Sequence, residues 1–320
     1  MMSRMGGTDD YRAGRQKAVA VLSLLTGAIV WGMVWYPYRV LQQVGVSGLP
    51  ATMLTYLVAL LVGAVWLFPV VRQSWRAGDM GGKLLLIGLA GGGSNLGYVL
   101  ATLHGEVMRV LLLFYLAPLW TVLLARLLLG ERLTGSGGWV VALSLGGAVV
   151  MLWHPESGLP WPASGAEWLG LGAGFLFSLS NVLVRQMAQV PVEVKSLAVF
   201  FGAVLLGALA LPFENYGLAV GQDGAGLLAQ VMSHAWLLLL IGGVLMTINL
   251  IVQFGLTHTA ATQAVVIFLF ELVVAAVSSW LLVGEMMRPQ EWLGGAMIVA
   301  ASLFSGRLAA DEANSREGTA

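Results

Sequence analysis

One carboxyl group lies where a charge is least welcome. Glu271 stands about ten residues into the apolar stretch 262 to 283, where an ionised side chain in a membrane costs at least ~2.5 to 3.5 kcal/mol. Three uses are open to such a group: it holds a proton, pairs with a cationic solute, or fixes a helix inside a bundle. The plain alternative is a protonated or arginine-paired structural carboxyl. An ionisable group at that depth is nevertheless a functional candidate by default. Four amides, Asn95, Asn181, Asn249 and Gln253, fall at similar depth in other apolar stretches. Amides in hydrocarbon need partners and commonly bridge helices. That bridging use suits Asn95 and Asn249 best, whereas Asn181 and Gln253 are better placed as cavity groups. Trp31 and Trp35 share a helix face, four residues apart, and with Tyr98 and Tyr115 they make an aromatic lining for an amphipathic or cationic solute. Tyr38, nearer the end of its stretch, fits an interface belt.

Other residues bear on gating. Arg109 stands close to Glu106 at the start of a stretch, and an ion pair there would act at an outer mouth. Arg39, Arg109, Arg126 and Arg185, all at stretch ends, also have the simpler use of reaching out to headgroups. Pro37 and Pro118 each remove one helical hydrogen bond, which transport proteins tolerate where the freed carbonyl faces protein or water. The runs Gly88-x-x-x-Gly92-Gly93 and Gly170-x-Gly172-x-Gly174 have small-residue spacing that lets helices touch.

Enzymatic chemistry finds no foothold. Gly81-Gly82-Lys83-Leu84 has the tail of a phosphate-binding loop, yet Ala77 replaces the required glycine and Leu84 the Ser or Thr. Ser94 lacks the following glycine of an intramembrane serine protease, and the four histidines fall in turns or loops. There is no cysteine, and no two histidines or carboxylates sit at ligand spacing inside an apolar stretch, so the sequence calls for no metal and no cofactor.

These residues must be positioned by membrane-spanning helices. Of 320 residues 58% are hydrophobic and 10% charged, with mean hydropathy +0.85, which excludes a soluble globular chain. Ten stretches approach or exceed the ~20 residues that cross a bilayer: 18 to 42, 50 to 71, 83 to 103, 107 to 129, 137 to 153, 167 to 187, 194 to 213, 234 to 256, 262 to 283 and 289 to 308. With the N-terminus in the cytoplasm, 13 of the 16 basic residues lie inside, leaving Arg39, Arg109 and Arg288 outside, as the positive-inside rule requires. Both termini are then cytoplasmic. The zero formal net charge gives no footprint for nucleic acid, and nothing sets the oligomeric state.

The chain also repeats itself. Residues 95 to 131 laid on 249 to 285 without a gap match Asn95 with Asn249, His104 with His258, Phe114 with Phe268, and Gly130-Glu131 with Gly284-Glu285. Arg39 and Arg185 correspond in the flanking parts. Glu271 falls on Ala117, so the charge is not duplicated. Five spans per copy is an odd number, which inverts the second copy in the membrane; many secondary transporters obtain two nearly equivalent shapes around a midplane site in this way, and a duplicated channel shows the same symmetry. The expected organisation is an all-α membrane protein of two inverted five-helix repeats around a central cavity: residues 1–17 a cytoplasmic tail, 18–153 and 167–308 the repeats, 154–166 an external linker, and 309–320 a second cytoplasmic tail.

Each copy closes on Leu-x-Gly-Glu, at Leu128-Leu129-Gly130-Glu131 and Leu282-Val283-Gly284-Glu285, followed by a glycine-containing last span. With Phe114-Tyr115-Leu116-Ala117-Pro118, this resembles the drug/metabolite transporter superfamily, EamA type, over residues 18 to 308. The second copy departs in having Leu272 where proline is common, although Glu271 before it fits a Glu-Pro variant. The resemblance implies a ten-helix basket whose cavity is lined by spans one, three, four, six, eight and nine and opens alternately to either side. It implies export of amino acids, other small metabolites or drugs across the bacterial inner membrane, with uptake in some members, by proton coupling, exchange or plain facilitated flow. The expected function is export of a small amphipathic metabolite, with Glu271 titrating or pairing with charge. Its rival is a non-transporting scaffold or ligand sensor. The expected partners are the lipid bilayer, a small-molecule substrate and, where coupling applies, protons.

Overall fold

The computed structural model describes residues 3–46, 48–75, 81–105, 107–131, 135–153, 161–211, 224–284 and 288–317. These residues are helical throughout, joined by short turns, with no strand among them. Nine stretches are long and apolar enough to cross a membrane by length and composition among the residues searched. The tenth expected span lies in the helix Pro289–Glu317. The first and last helices extend into the polar ends of the chain, to Ser3 and Glu317, instead of stopping near 18 and 308.

The spans, in order, are Ser3–Met33 with Trp35–Gln43, then Gly48–Trp66, Gly81–His104, Val107–Phe114 with Ala117–Leu124 and Ala125–Leu129, and Gly135–Leu152. The second copy comprises Gly165–Gln186, Val192–Ala210, Ala235–His258, Ala261–Phe268 with Phe270–Val283, and Pro289–Glu317. The ends of spans four, six and eight meet the starts of spans seven and nine on one side of the bundle, the near face. The starts of spans four and six meet on the other side, the far face.

Helix contacts repeat with the sequence. Span three packs on spans six and seven, and its counterpart, span eight, packs on spans one and two. Span four packs on span six, span nine on span one, and the equivalent spans five and ten pack on each other. That exchange is what two inverted copies require, and it leaves a space between them. Glycine permits the closest crossings. A Cβ at Gly88 or Gly92 would collide with the backbone of Ala198 or Ala203 in span seven, and one at Gly202 with the Gly88 carbonyl. In span six Gly170 and Gly174 meet the backbone of span four, whereas Gly172 has nothing within 4 Å. Only two glycines of that run therefore serve close packing.

The repeated Leu-x-Gly-Glu now has a physical explanation. Gly130 and Gly284 take φ of +69° and +75°, the left-handed conformation that ends a helix and favours glycine. Their sequence partners in the preceding turn, His104 and His258, also behave alike. Each ring Nδ1 bonds the carbonyl four residues back, Leu100 at 2.9 Å and Phe254 at 2.8 Å. The outside of the bundle is apolar, with Val65, Leu127, Leu281 and Leu303 exposed, as lipid contact allows. Trp139 and Trp292, at opposite faces, are exposed as belt residues are.

Candidate functional site

Three spans break near the middle of the bundle, and the breaks shape what lies between the copies. Span one breaks at Val34, whose N–H bonds the Trp31 carbonyl at 3.2 Å. Pro37, one turn later, has no N–H for the Met33 carbonyl. Span four breaks at Tyr115 and Leu116, and Pro118 stands in the first turn of the half-helix that follows. Span nine breaks at Leu269, the repeat partner of Tyr115, although Leu272 stands where span four has its proline. The break is thus kept without the residue that explains it in the first copy.

Between the copies lies a cavity of about 1020 Å³, at the upper end of the ~300 to 1,000 Å³ usual for small-molecule sites. It reaches the far face beside Gln42, Thr102, Val107, Leu152 and Glu291, and descends to Asn181, Gln253, Leu256 and Val265. Below that level the near-face ends pack against one another through Leu183, Val184, Met187, Val194, Ala264 and Ile267, all buried. The cavity is open toward the far face and closed toward the near face. Spans one, three, four, six, eight and nine line it as expected, and Thr52, Met151, Val199 and Glu291 add spans two, five, seven and ten.

Glu271 lines this cavity, in the first turn of the half-helix Phe270–Val283. Its position follows from the break: the N-terminal end of a helix presents unpaired N–H groups and the positive end of the dipole, so an acidic side chain is favourably placed there. The Tyr115 hydroxyl is within hydrogen-bonding reach of the carboxyl, and no Lys or Arg pairs with it among the described residues. Gly32 of span one passes directly over this turn, with room for no side chain against the Glu271 carbonyl and Val274.

Aromatic rings form the wall beside it. Phe177 in span six stands between the repeat partners Phe114 and Phe268, at 5.7 and 5.5 Å between ring centres, and Phe114 continues to Tyr98 at 5.1 Å and Tyr115 at 5.2 Å. Trp31 and Trp35 line the cavity from span one. The Trp35 indole N–H donates to the Ser278 hydroxyl at 3.0 Å, which bonds the Gly32 carbonyl at 3.3 Å, so span nine fixes the ring. Tyr38 departs from the belt expectation. Its hydroxyl bonds that of Thr55 at 2.7 Å, and its ring lines the cavity and packs on the core. Tyr36, at 42% exposure, is the ring turned outward.

The amides separate into two kinds. Asn95 lines the cavity but spends its amide N–H on the Gly91 carbonyl of its own helix, at 2.8 Å. Asn181 Nδ2, Asn249 Oδ1 and Gln253 Oε1 are buried without a protein partner and all three residues line the cavity. Such atoms are costly unless a ligand or water completes them. Neither Asn95 nor Asn249 bridges helices as the sequence reading preferred.

Of the four arginines at span ends, Arg109 and Arg185 bond protein groups, whereas Arg39 and Arg126 are exposed as headgroup contact allows. Arg109 Nε and Nη2 donate to the two oxygens of Glu167, both at 3.1 Å, and Nη2 also to the Trp161 carbonyl. This two-point pair ties spans four and six at the far face, outside the cavity wall. Glu106, its expected partner, lies outside the described residues. Arg39, at the cavity mouth, is exposed.

On the near face a cluster escaped the sequence reading, because Arg185 and Lys195 looked like ordinary inner-face basic residues. Lys195 is completely buried in the first turn of span seven. Its Nζ donates to the Thr257 hydroxyl at 2.6 Å and to the carbonyls of Met187 and Val184 at 3.2 and 3.4 Å. Arg185 donates to the Thr257 carbonyl and lies 4.0 Å from Glu131. Glu131 accepts the Ala261 N–H at 3.2 Å. Burial pushes the Glu131 carboxyl up from its ordinary range, with Arg185 and the Ala261 N–H pulling it partly back. Among the described residues no three His, Asp or Glu side chains come together as a metal site would require.

Two inverted helical repeats, broken spans and a central cavity with unpartnered polar groups define a multi-pass membrane transporter. The profile of the EamA-like transporter family matches residues 18–153 and 164–307; the chain belongs to that family, a drug/metabolite transporter type and not a family of enzymes. Twenty-eight chains of solved structures are similar. One crystal structure of a protein matches with TM-score 0.68 and 21% identity over 90% of this chain and 98% of that one, which speaks for the fold alone. No curated protein matches.

Proposed function

We propose that this protein is a secondary transporter that moves a small amphipathic metabolite, such as an amino acid or a related drug, out across a bacterial inner membrane by alternating access. Residues 18–153 and 167–308 are the two repeats, joined through 154–166, and the tails 1–17 and 309–320 lie in the cytoplasm. The far face is then the external side and the near face the cytoplasmic side, in keeping with the distribution of basic residues. The observation that carries the reading is a cavity open at one face and shut at the other, with Glu271 at its middle depth and no basic partner beside it. Glu271 exchanges a proton or pairs with a cationic group of the solute. Asn181, Asn249 and Gln253 bond its polar atoms, and Trp31, Trp35, Tyr98 and Tyr115 enclose its apolar body.

A thermal-shift screen of the purified protein against amino acids, cationic amphipathic drugs, nucleosides and sugar phosphates identifies the solute, because a ligand at 100 times its Kd stabilises by about 2.7 kcal/mol. Flux of that solute into liposomes under an imposed pH gradient then tests transport. Glu271→Gln should insert normally and lose most of the gradient-driven flux or its pH dependence. Wild-type flux and pH dependence in Glu271→Gln would remove the carboxyl from the mechanism, and binding without flux in the wild type would overturn transport itself.

A further inference from the structure

The near-face cluster joins five span ends, and its chemistry is that of helix termini. Val184, Met187 and Thr257 offer carbonyl or hydroxyl oxygens at the C-terminal ends of spans six and eight, where cations are favourably placed. Lys195 and Arg185 occupy those positions. Ala261 opens span nine, where an acidic group is favourably placed, and Glu131 at the end of span four fills that position. Thr257 sits at the centre. Its carbonyl takes Arg185, its hydroxyl accepts from Lys195, and the same hydroxyl donates to the Gln253 carbonyl at 2.7 Å. Gln253 is a floor residue of the cavity, so one threonine links the cluster to the site.

Among the described residues no repeat-related equal of this cluster stands on the far face, where the Arg109–Glu167 pair ties spans four and six instead. Arg39, the repeat partner of Arg185, is exposed at the cavity mouth. Thr257 corresponds to Leu103, which has no hydroxyl, and span two, Gly48–Trp66, contains no lysine to match Lys195.

We propose that Lys195 and Thr257, with Arg185 and Glu131, form the latch that holds the near face shut, and that the far-open shape is the resting state because the described far-face residues do not repeat the Lys195–Thr257 contact. Span eight packs with spans one and two, and spans six and seven with span three, so opening toward the near face separates span eight from spans six and seven and takes the Thr257 hydroxyl from Lys195 and the Thr257 carbonyl from Arg185. This rests on the alternating-access reading of the cavity. The latch is nevertheless measurable without a substrate.

The chain has no cysteine, so Ser180→Cys, on the cavity wall, can be labelled with a membrane-impermeant maleimide from either side of oriented vesicles. In the otherwise wild-type protein, far-face labelling should exceed near-face labelling. Lys195→Met and Thr257→Val, both close in shape to the originals, should each raise the near-face rate by about tenfold, the effect of losing one hydrogen bond to a charged group. Arg126→Gln, an exposed change at the near-face end of span four outside the cluster, should not. Monodisperse elution in detergent certifies folding of each variant. An unchanged near-face rate in both folded variants, or near-face labelling that already dominates in their parent, overturns the latch. A raised rate in a protein that moves no solute would leave the latch standing and the transport reading fallen.

Discussion

Gly174→Ala is the sharpest test of the packing that holds the site. A Cβ at Gly174 would lie 3.1 Å from both the carbonyl carbon and the Cα of Phe114, and closer still to the carbonyl oxygen. That carbonyl is the one Pro118 leaves without its usual N–H partner. The obstructing atoms are backbone, so span four or span six must move, and such overpacking costs about 1 to 3 kcal/mol. Replacing glycine by alanine in a helix returns about 1 kcal/mol, leaving a net loss near ~1 kcal/mol. Gly172→Ala makes the same chemical change two residues earlier with nothing within 4 Å, so it should be neutral or stabilising. Thermal unfolding of both variants in one detergent, followed by loss of the monodisperse peak, should place Gly174→Ala several degrees below Gly172→Ala. Equal stability, or the reverse order, would refute the close approach of span six to the break. The same movement displaces Phe177, one turn later, from between Phe114 and Phe268.

Two further outcomes follow from particular contacts. Ser278→Ala removes the acceptor of the Trp35 indole, at a cost of about 0.5 to 1.5 kcal/mol; solute affinity should fall several-fold while Ser278→Thr retains it, and unchanged affinity in Ser278→Ala would take Trp35 out of the binding wall. Glu131 has a folded-state carboxyl raised by burial. Its contribution to stability is therefore complete below the unfolded value near ~4.3 and is lost as pH rises through the higher folded value. Glu131→Gln should flatten that fall across weakly acidic pH in thermal-unfolding profiles, and an identical profile would show the carboxyl to be ordinarily solvated.

What was legible in the sequence was what repeats or what hydrocarbon penalises. The spans follow from apolar length, the inversion from an odd span count, and Glu271 from the cost of a buried charge. Asn181, Asn249 and Gln253 stood out for the same reason and come together in the cavity. The breaks were half legible. Pro37 and Pro118 announce those in spans one and four, but the one at Leu269 has no proline to announce it. The latch was hidden because Lys195 and Arg185 sit where loop-side basic residues are normal, and only the folded chain places Thr257 between them. Tyr38 was misread for a related reason: distance from a span end does not say which way a ring faces, and Thr55 of span two turns it inward.

The duplicated scaffold and the unduplicated carboxyl belong to one design. Both copies break their fourth span at equivalent positions, and each break creates a half-helix whose first turn faces the cavity: Ala117 in one copy, Glu271 in the other. The scaffold thus offers two places where an acidic group is tolerated at the midplane, and the chain uses one. Had both been filled, two carboxyls would have faced the same space, and like charges in a low-dielectric cavity resist being ionised together. A single acid leaves one site for one proton or one cationic group in the proposed mechanism, and Phe114, Phe177 and Phe268 form an apolar side of the same space. Under the proposed alternating access, symmetry would supply the two shapes, and its violation at the Ala117 and Glu271 pair would supply the chemical difference on which a solute or a proton acts.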